Sequence, residues 1–471
     1  MKTALKLLVV TCSYCYITAC GGGSTPIVCG ANCPPHHESA WTWVSGANIV
    51  DQAGVYGTQG TPSPGNAPGA RDFAVSWTDH QGNLWMFGGQ GFDSNGASGE
   101  LNDLWKFDGS NWTWVSGGDT INQAGVYGTQ GTASPSNAPG ARNSSATWVD
   151  SQGILWLFGG NGYDSQGAND FLNDLWKFDG SNWTWVSGSD TCRHLGVYGT
   201  IGVASPSNLP GTRLGSASWI DGQGNVWLFG GYGYDSIGPL YGQGFGELGD
   251  LWKFDGANWA WMGGWNTRNH SGQYGTLGAP DPTNMPGTRD SSVTWMDKSG
   301  NLWLFGGIGM DYSLGWDNLN DVWKFDGANW TWMGGSYMVD QPGVYGARGS
   351  SSSSNIPGAR AISAWATDSV GNLWLSGGFS SFDYNTFTQY EFNDLWKFDG
   401  TSWTWVSGGS STNQAGQYGT KGTPAQSNVP GARGGQVGWI DSKGTFWLFG
   451  GYGIDSTGTA DLMNDFWRFD P

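Results

Sequence analysis

Positive charge is scarce in this sequence. Its 471 residues include 20 Lys and Arg against 38 Asp and Glu, which gives a formal net charge of −18. A chain without a basic excess has little with which to displace the counterions of a nucleic-acid backbone, and it is not drawn to an anionic lipid surface. We therefore expect no nucleic-acid partner and no membrane contact that depends on charge.

Long hydrophobic runs are also missing. The most apolar stretch, Leu7 to Ile17, is too short for a good membrane span and follows Lys2 and Lys6, an order typical of an export signal. The letters ITAC followed by GGGSTP resemble a bacterial lipobox, and this resemblance implies that Cys20 carries a lipid. An ordinary signal peptide with a chance cysteine is the alternative interpretation.

The lipobox resemblance divides the chain into three segments. Residues 1–19 would be the signal peptide, residues 20–39 a flexible Gly/Ser tether, and residues 40–471 the folded part. Gly21, in place of an Asp, implies sorting to the outer membrane of a two-membrane bacterium. We expect an exported protein, held in the cell envelope at the outer membrane or cell surface, with its lipid as the only membrane contact.

Cysteine is rare as well, at six residues. Cys29 and Cys33 are close enough in sequence for a local disulfide in an oxidising compartment. Their motif CGANC lacks the second pair that a metal site of this type has. Cys192 then remains as the odd cysteine.

Glycine and tryptophan are abundant, with 82 and 32 residues, and aromatic residues make up 15% of the chain. Glycine-rich disordered chains lack aromatic residues. A chain this aromatic can bury a large core.

Four phrases recur in a fixed order, and we number the repeats 1 to 6 by the arginine of the first phrase, PGAR or PGTR. A strand-like run with one Trp follows, then LWLFGG, then NDLWKFDG, then WTWVSG, each with variants. The spacing of 71 to 76 residues between arginines indicates one modular fold rather than several domains. The arginines are Arg71, Arg142, Arg213, Arg289, Arg360 and Arg433.

Each phrase is typical of a short strand bounded by turn residues. The turns of the type DSQG and DGSN are tight, which predicts a four-stranded antiparallel meander in every repeat. Both faces of LWLFGG are apolar, so each sheet is covered on both sides. Six such sheets arranged radially predict an all-β, six-bladed propeller, with 30 of the tryptophans packed at strand positions between blades.

The Gly-Gly that ends a hydrophobic strand and the spaced tryptophans of NDLWKFD…W resemble the kelch family, which in the broad sense includes propellers like that of galactose oxidase. The resemblance spans residues 40–471 and implies a kelch β-propeller. The last repeat stops at its third phrase, NDFWRFDP, and the missing fourth phrase lies at Trp41 to Gly46. We expect an N-terminal strand over residues 41–45 to complete the last blade and close the ring.

Strand alternation sorts the loops onto two faces. The tight turns share one face and the long connections share the other, which we call the short-turn face and the long-loop face. Loops longer than ordinary connections usually carry function. The kelch resemblance implies the same, so we expect the ligand at the long-loop face, centred on blades three to five.

Several aromatic residues in these loops are not required by the strands. They suggest stacking on a sugar face or a partner side chain, and the alternative is that they pack their own loops. The candidates are Trp265, Trp316, Tyr234, Tyr241, Phe245 and Tyr384.

The repeated arginines have two interpretations. Kelch proteins often bind partners with arginines near the mouth of the channel, which implies this role for Arg213, Arg289 and Arg360. Alternatively, each arginine pairs with the aspartate of the ND or GD phrase inside the fold, because buried charges need partners.

Two connections depart from the others in polar residues. CRHLG and RNHSG place His194 and His270 where other repeats carry Gln, and the flanking Arg193 and Arg268 are candidate ligand contacts. With Cys192 the histidines suggest a metal site, and hydrogen-bonding replacements are the alternative.

No cofactor is favoured. A galactose-oxidase-like copper site would need His194, His270 and Cys192 with Tyr198 or Tyr274, but their clustering departs from that family's dispersed ligands. The DSxG segments suggest calcium, although they have too few carboxylates and an Asx turn explains them. These segments begin at Asp93, Asp164, Asp235 and Asp455.

Three classes of function remain open. The first is a non-catalytic binding protein for a glycan or a protein; the second is a metal-dependent or other enzyme acting on a sugar; the third is a structural envelope component. No pair of loop carboxylates marks out an acid–base site, since Glu is nearly absent beyond Glu100, Glu247 and Glu391. The first class fits the long loops and the surplus aromatics best.

Overall fold

The computed structural model describes residues 39–238, 244–383 and 388–471. The predictions that concern the signal peptide, the tether, Cys20, Cys29, Cys33, Tyr241 and Tyr384 lie outside these residues. Within the described ranges, no helix is long and apolar enough to cross a membrane.

The secondary structure of the described residues consists of 34 strands. In chain order they are β1 (Ala40–Ser45), β2 (Arg71–Asp72), β3 (Val75–Thr78), β4 (Leu84–Phe87), β5 (Gln90–Phe92), β6 (Ser98–Glu100), β7 (Leu104–Phe107), β8 (Trp112–Ser116), β9 (Arg142–Asn143), β10 (Ala146–Val149), β11 (Leu155–Tyr163), β12 (Asn169–Phe178), β13 (Trp183–Ser187), β14 (Arg213–Leu214), β15 (Ala217–Ile220), β16 (Val226–Tyr234), β17 (Phe245–Phe254), β18 (Trp259–Trp265), β19 (Arg289–Asp290), β20 (Val293–Met296), β21 (Leu302–Met310), β22 (Trp316–Phe325), β23 (Trp330–Gly334), β24 (Ser351–Ser352), β25 (Ala364–Thr367), β26 (Leu373–Asp383), β27 (Thr388–Phe398), β28 (Trp403–Ser407), β29 (Arg433–Gly434), β30 (Val437–Ile440), β31 (Phe446–Phe449), β32 (Tyr452–Ile454), β33 (Ala460–Leu462) and β34 (Phe466–Asp470).

Every repeat forms a four-stranded antiparallel meander, such as β3-β4-β7-β8 in repeat 1 and β10-β11-β12-β13 in repeat 2. In repeat 6 the order is β30-β31-β34-β1, and the N-terminal strand pairs Trp41 with Phe469 and Trp43 with Trp467. The predicted all-β propeller is confirmed. The count of six blades stays a prediction, which the six meanders of the described residues support.

A closed ring of backbone hydrogen bonds joins the first strands of all six repeats. In each bond the N–H of one repeat donates to the carbonyl of the repeat before it, and repeat 1 donates to repeat 6. We call these six residues the backbone ring: Phe73, Ser144, Gly215, Ser291, Ile362 and Gly435, with donor–acceptor distances of 2.8 to 3.3 Å. All six have a positive φ, between 51° and 69°, which turns the strand where the ring forms.

Tryptophans fill the spaces between neighbouring meanders. The cluster between repeats 2 and 3, for example, contains Trp148, Trp156, Trp252 and Trp259, all buried. Trp148 and Trp156 stack across their strand pair, with ring centroids 5.9 Å apart and an interplanar angle of 12°. Such pairs explain why the repeated phrase contains so many indoles.

The connections between repeats cover the outer edges of the sheets. In repeat 1, Gly60 N–H donates to the Trp114 carbonyl at 2.8 Å, and Ser63 bridges to Trp112 in the outermost strand β8. Covering this edge leaves fewer free backbone groups for pairing with other chains. These long segments are therefore partly structural, which limits how much of them is free to bind a ligand.

Candidate functional site

The repeated arginines are buried in two-pronged ion pairs. Arg213 places Nη1 and Nη2 each 2.7 Å from the two carboxylate oxygens of Asp250, and its other donors reach the carbonyls of Gly211 and Gly230. The side chains of both partners are 0% exposed. Arg289 pairs in the same way with Asp321, and Arg360 with Asp394.

This geometry corrects the expectation that Arg213, Arg289 and Arg360 meet a ligand at the mouth of the channel. Their guanidinium groups expose no surface, and a buried charge that already has its partner gains nothing by leaving it. They belong to the interior of the fold, as the alternative interpretation states.

The tyrosines named for a copper site belong to the same buried networks. Tyr198 donates its hydroxyl to Asp250 Oδ2 at 2.7 Å, and Tyr274 donates to Asp321 Oδ2 at 2.7 Å. Burial and the neighbouring aspartate raise the pKa of both phenols. Neither hydroxyl faces His194 or His270, so the structure does not assemble the copper site.

Both histidines bond to hydroxyl groups of their own connections. His194 Nε2 lies 2.8 Å from Ser189 Oγ and 2.8 Å from Thr191 Oγ1, and His270 Nε2 lies 2.7 Å from Thr267 Oγ1. Among the described residues, no group of three His, Cys, Asp or Glu is placed to hold a metal ion. These contacts are those of hydrogen-bonding replacements for Gln.

The nearby thiol and the DSxG aspartates are also bound within their loops. Burial raises the pKa of the Cys192 thiol, and the backbone N–H of Cys192 donates to Asp164 Oδ2 at 3.2 Å. Asp164 Oδ1 accepts the N–H groups of Gln166 and Ala168, each at 2.9 Å, which is an Asx turn. Asp93, Asp235 and Asp455 accept backbone N–H groups in the same way.

Three of the predicted ligand-binding aromatics pack inside the protein's own loops. Trp265 stacks on His270, with ring centroids 5.1 Å apart and an interplanar angle of 6°. Tyr234 and Phe245 lie 5.8 Å apart and both contact Phe171 of repeat 2. Their arrangement follows the packing alternative.

The two candidate arginines of these loops pair with aspartates. Arg193 Nε donates to Asp170, and its side chain is largely exposed. Arg268 Nη1 donates to Asp235 Oδ2 at 2.8 Å and is largely buried. Of the two, only Arg193 presents much of its side chain to solvent.

Trp316 differs from the other aromatic candidates that the structure describes because half of it, 50%, is exposed. It follows directly after the tight turn of repeat 4 that carries Tyr312 and Leu314, and both of these are also exposed. Tyr312 contacts exposed Tyr337 of the next connection, with ring centroids 6.0 Å apart. We call Tyr312, Leu314, Trp316 and Tyr337 the repeat-4 patch. Neighbouring exposed apolar side chains of this size commonly mark a binding surface.

Beneath the long-loop face lies a set of carboxyl groups that sequence reasoning missed. Glu100, Glu247 and Glu391 occupy the same position in repeats 1, 3 and 5, three residues before the paired aspartate, and all are buried. In repeat 1 the cross-strand row runs Asp72–Gln90–Glu100, so these side chains share one face of the sheet.

Each glutamate has a different partner in the following repeat. Glu100 accepts two hydrogen bonds from Asn143 Nδ2, at 2.9 and 3.1 Å. Glu247 contacts the carboxyl group of Asp290 and accepts from Trp316 Nε1 at 2.8 Å. At the corresponding position after Glu391 stands Gly434, and Glu391 Oε1 has no hydrogen-bond partner within the described part of the chain.

Comparisons with known proteins agree with the architecture. No family model matches the chain. A segment of 242 residues, half of this chain, is 26% identical to human "Kelch domain-containing protein 3" and covers 48% of that protein, so the chain spans about half the length of this relative. The chain is a kelch-type propeller.

Two solved structures also resemble this kelch-type propeller. The structure of YjhT has a TM-score of 0.48 and 14% identity, over 85% of this chain and 95% of that chain. A fungal alcohol oxidase of the AA5 family in complex with copper has a TM-score of 0.44 and 13% identity, over 88% of this chain and 77% of that chain.

Burial raises the pKa values of the buried carboxyl groups of the kelch-type propeller. Burial raises the pKa of Glu100 to about 7 and, with the neighbouring charge of Asp72, that of Glu391 to about 8. Burial and the charge of Asp290 raise the pKa of Glu247 well above its ordinary value. The Trp316 indole is therefore held by a buried carboxyl group whose charge depends on pH.

The signal that could have found this set was in the sequence. Glutamate occurs only four times in the whole chain, and three of the four stand at one position of alternate repeats. A residue type so rare and so regularly placed is better explained by a shared environment than by chance.

Proposed function

We propose that this kelch-type propeller is an exported, lipid-anchored binding protein of the bacterial cell envelope that recognises a glycan through the repeat-4 patch on its long-loop face. The observation that carries the proposal is the half-exposed indole of Trp316, held by its hydrogen bond to buried Glu247.

The anchoring of Trp316 suits a binding surface. Its N–H group is already bonded inside the protein, so one end of the ring is fixed while much of the ring stays in solvent. An aromatic ring that is ordered before binding loses little conformational entropy when a ligand stacks on it. Tyr312 and Tyr337, whose rings contact each other, are two further exposed aromatic residues of the same loop region.

Carboxyl groups of the kind that bind sugar hydroxyls follow the indole along the chain. Asp317 follows Trp316 directly, and its carboxyl group is within hydrogen-bonding distance of the carboxyl group of Asp340. Carboxylates accept hydrogen bonds from hydroxyl groups, and an aromatic ring stacks on the apolar face of a sugar. The combination favours a glycan over a purely apolar partner.

The test is binding of the full chain to a broad glycan panel, compared with Trp316→Ala and Tyr312→Ala. We expect both variants to lose at least about tenfold in affinity for the glycan that the wild type binds, as central aromatic contacts do. The matched control is Leu277→Ala, because Leu277 is an exposed apolar residue of a different segment. Unchanged glycan affinity in both patch variants, with circular dichroism showing intact folds, would contradict the proposal.

Lipid anchoring is tested separately. Cells that express the chain and are fed a labelled fatty acid should label the wild type but not Cys20→Ala. Labelling that persists in Cys20→Ala would remove the anchor from the proposal.

A further inference from the structure

The tryptophan in the first strand of repeat 5 is one residue out of step. In five repeats this Trp stands two residues before the Asp that opens the tight turn, as in Trp77 before Asp79 and Trp295 before Asp297. In repeat 5 it is Trp365, three residues before Asp368, and Ala366 takes the usual place. Because side chains alternate along a strand, a shift of one residue sends the side chain to the opposite face.

The shift removes this indole from the packing between meanders. The five in-step tryptophans, of which Trp77 and Trp439 are examples, are between 2% and 6% exposed, whereas Trp365 is 36% exposed. The usual cross-strand pair of two tryptophans, such as Trp295 with Trp303, becomes Ala366 with Trp374. Trp365 is thus a large aromatic side chain in contact with solvent and without its usual structural role.

Trp365 lines a cavity of about 420 Å³ in the centre of the propeller. The cavity lies between the first strands of the six repeats, from the backbone ring towards the short-turn face. Its volume is within the range of pockets that bind small molecules. None of its lining residues is Asp, Glu, Lys, Arg or His, although the chain as a whole is strongly acidic. The cavity therefore suits an uncharged ligand.

The hydroxyl of Thr147 lies across the cavity from the indole, and that of Ser76 lies in the repeat beside it. Ser76 and Thr147 hold, in repeats 1 and 2, the position that Trp365 holds in repeat 5, and repeat 2 stands opposite repeat 5 in the order of the backbone ring. The equivalent Ser218 and Thr294 donate to carbonyls of the preceding repeat. The side-chain hydroxyls of Ser76 and Thr147 have no hydrogen-bond partner among the residues that the structure describes.

Repeat 6 differs from the other repeats at this position. Its residue at the same position is Gly438, which has no side chain, and the two flanking first strands run next to each other. A Cβ atom at Gly438 would meet Ala364 Cβ and Phe446 Cζ at 3.1 Å, so repeats 5 and 6 pack closely here and the space for a sugar is that of the cavity itself.

We propose that this central cavity binds the ring of an uncharged sugar, with the apolar face of the sugar on Trp365 and its hydroxyls on Ser76 and Thr147. Indole rings stack on the C–H face of a sugar, and free hydroxyls elsewhere on the cavity wall pair with its polar edge. This site is separate from the repeat-4 patch, which lies on the long-loop side of the backbone ring, and it does not depend on the function proposed there.

The experiment is saturation-transfer NMR on the full chain with glucose, galactose, mannose and N-acetylglucosamine, and with glucuronate as the charged comparison. We expect transfer to at least one neutral sugar, and weaker transfer to glucuronate. Trp365→Thr should weaken the neutral sugar at least about tenfold, and it introduces the residue type that repeats 2 and 4 carry at this position. Thr147→Val should also weaken it, while Trp316→Ala should not.

Melting curves of each variant show whether it is folded. Absence of transfer to every neutral sugar would overturn the proposal. So would binding that survives in Trp365→Thr, or binding that disappears in Trp316→Ala instead, because that result would assign the sugar to the long-loop face.

Discussion

The two sides of the backbone ring are built from the same six strands and have opposite chemistry. On the long-loop side the cross-strand rows bring Asp72, Glu100, Glu247, Asp290 and Glu391 into the interior. On the short-turn side, beginning one residue further along each first strand, the wall consists of small, hydroxyl-bearing and aromatic side chains without a charge. The repeated phrase builds the scaffold, and single departures from it set the chemistry of each side.

The departures are small changes at equivalent positions. On one side a glutamate replaces Phe171 or Asn318 of the alternate repeats, and on the other a tryptophan replaces Ser76 or Thr147. Because the strand positions correspond from repeat to repeat, the difference at these positions lies in the side chain. Residues that bind a ligand in such a propeller are therefore best sought at positions where one repeat differs from the other five.

The largest expected effect is the loss of stability when one of the buried Arg–Asp ion pairs, on which both sides depend, is removed. Arg289→Ala leaves Asp321 buried and without its ion-pair partner, which typically costs about 3–5 kcal/mol of the free energy of unfolding. Chemical denaturation measures this loss, and both binding sites should weaken with it. The matched control is Arg193→Ala, whose side chain is largely exposed, and which should change stability little. Equal stability of the two variants would contradict the structural role of the buried arginines.

The second effect is a dependence of stability on pH, and it arises only from the buried carboxyl groups of the long-loop side. The pKa of Glu100 is about 7, and the pKa values of Glu391 and Asp72 are about 8 in the fold, above the values near 4 of unfolded chains. The folded state therefore binds more protons, and the stability from these groups is complete below about pH 4 and lost as pH rises through 7 to 8. We expect the melting temperature to fall between pH 6 and pH 9.

A single variant isolates this contribution. Glu391→Gln should flatten the fall of melting temperature between pH 6 and pH 9, because the amide stays neutral in the buried site. Asp281→Asn, at an exposed carboxylate whose pKa its hydrogen bonds to Thr283 lower, should leave the slope as in the wild type. A wild-type melting temperature that rises over this range would show that the buried carboxyls are not protonated.

The fold could be predicted from the sequence because the same strand and turn pattern occurs in every repeat. The strands, the tight turns and the pairing of β1 with β34 are local patterns repeated six times, so each copy supports the others. The packing of Trp265, Tyr234 and Phe245 could not be predicted. The residue type of an aromatic side chain in a long loop does not show whether it faces a ligand or a neighbouring ring.

One missed feature was within reach of the sequence, and another was not. Trp365 was grouped with the packing tryptophans, since only its distance from Asp368, one residue longer than in the other repeats, separates it from them. The contact of Glu247 with Asp290 joins residues of neighbouring repeats. Such a contact depends on how rows stack between sheets, which spacing along one chain does not give.

The smallest expected effect is a gain in stability when repeat 6 is given a hydrogen-bond donor for Glu391. Gly434→Asn copies Asn143, which bonds to Glu100, and should supply the missing donor for Glu391. A Cβ atom at Gly434 would meet its nearest neighbour at 3.4 Å, an ordinary contact. We expect a gain of about 1 kcal/mol, the usual net value of a hydrogen bond, measured by denaturation.

The adjacent glycine provides the control. Gly435 belongs to the backbone ring, has a φ of 69° and would place a Cβ atom 3.0 Å from Asp72. Gly435→Asn should therefore destabilise the protein. Destabilisation by Gly434→Asn as well would mean that Glu391 does not need a donor from that position.

One titration series tests the central claim most directly. The claim is that single departures from the repeat create two separate binding sites. Wild type, Trp316→Ala and Trp365→Thr are each titrated with the glycan that the panel selects and with the neutral monosaccharide that binds best. We expect Trp316→Ala to lose the glycan and keep the monosaccharide, and Trp365→Thr to do the reverse. Two variants that bind both ligands as the wild type does would contradict the account.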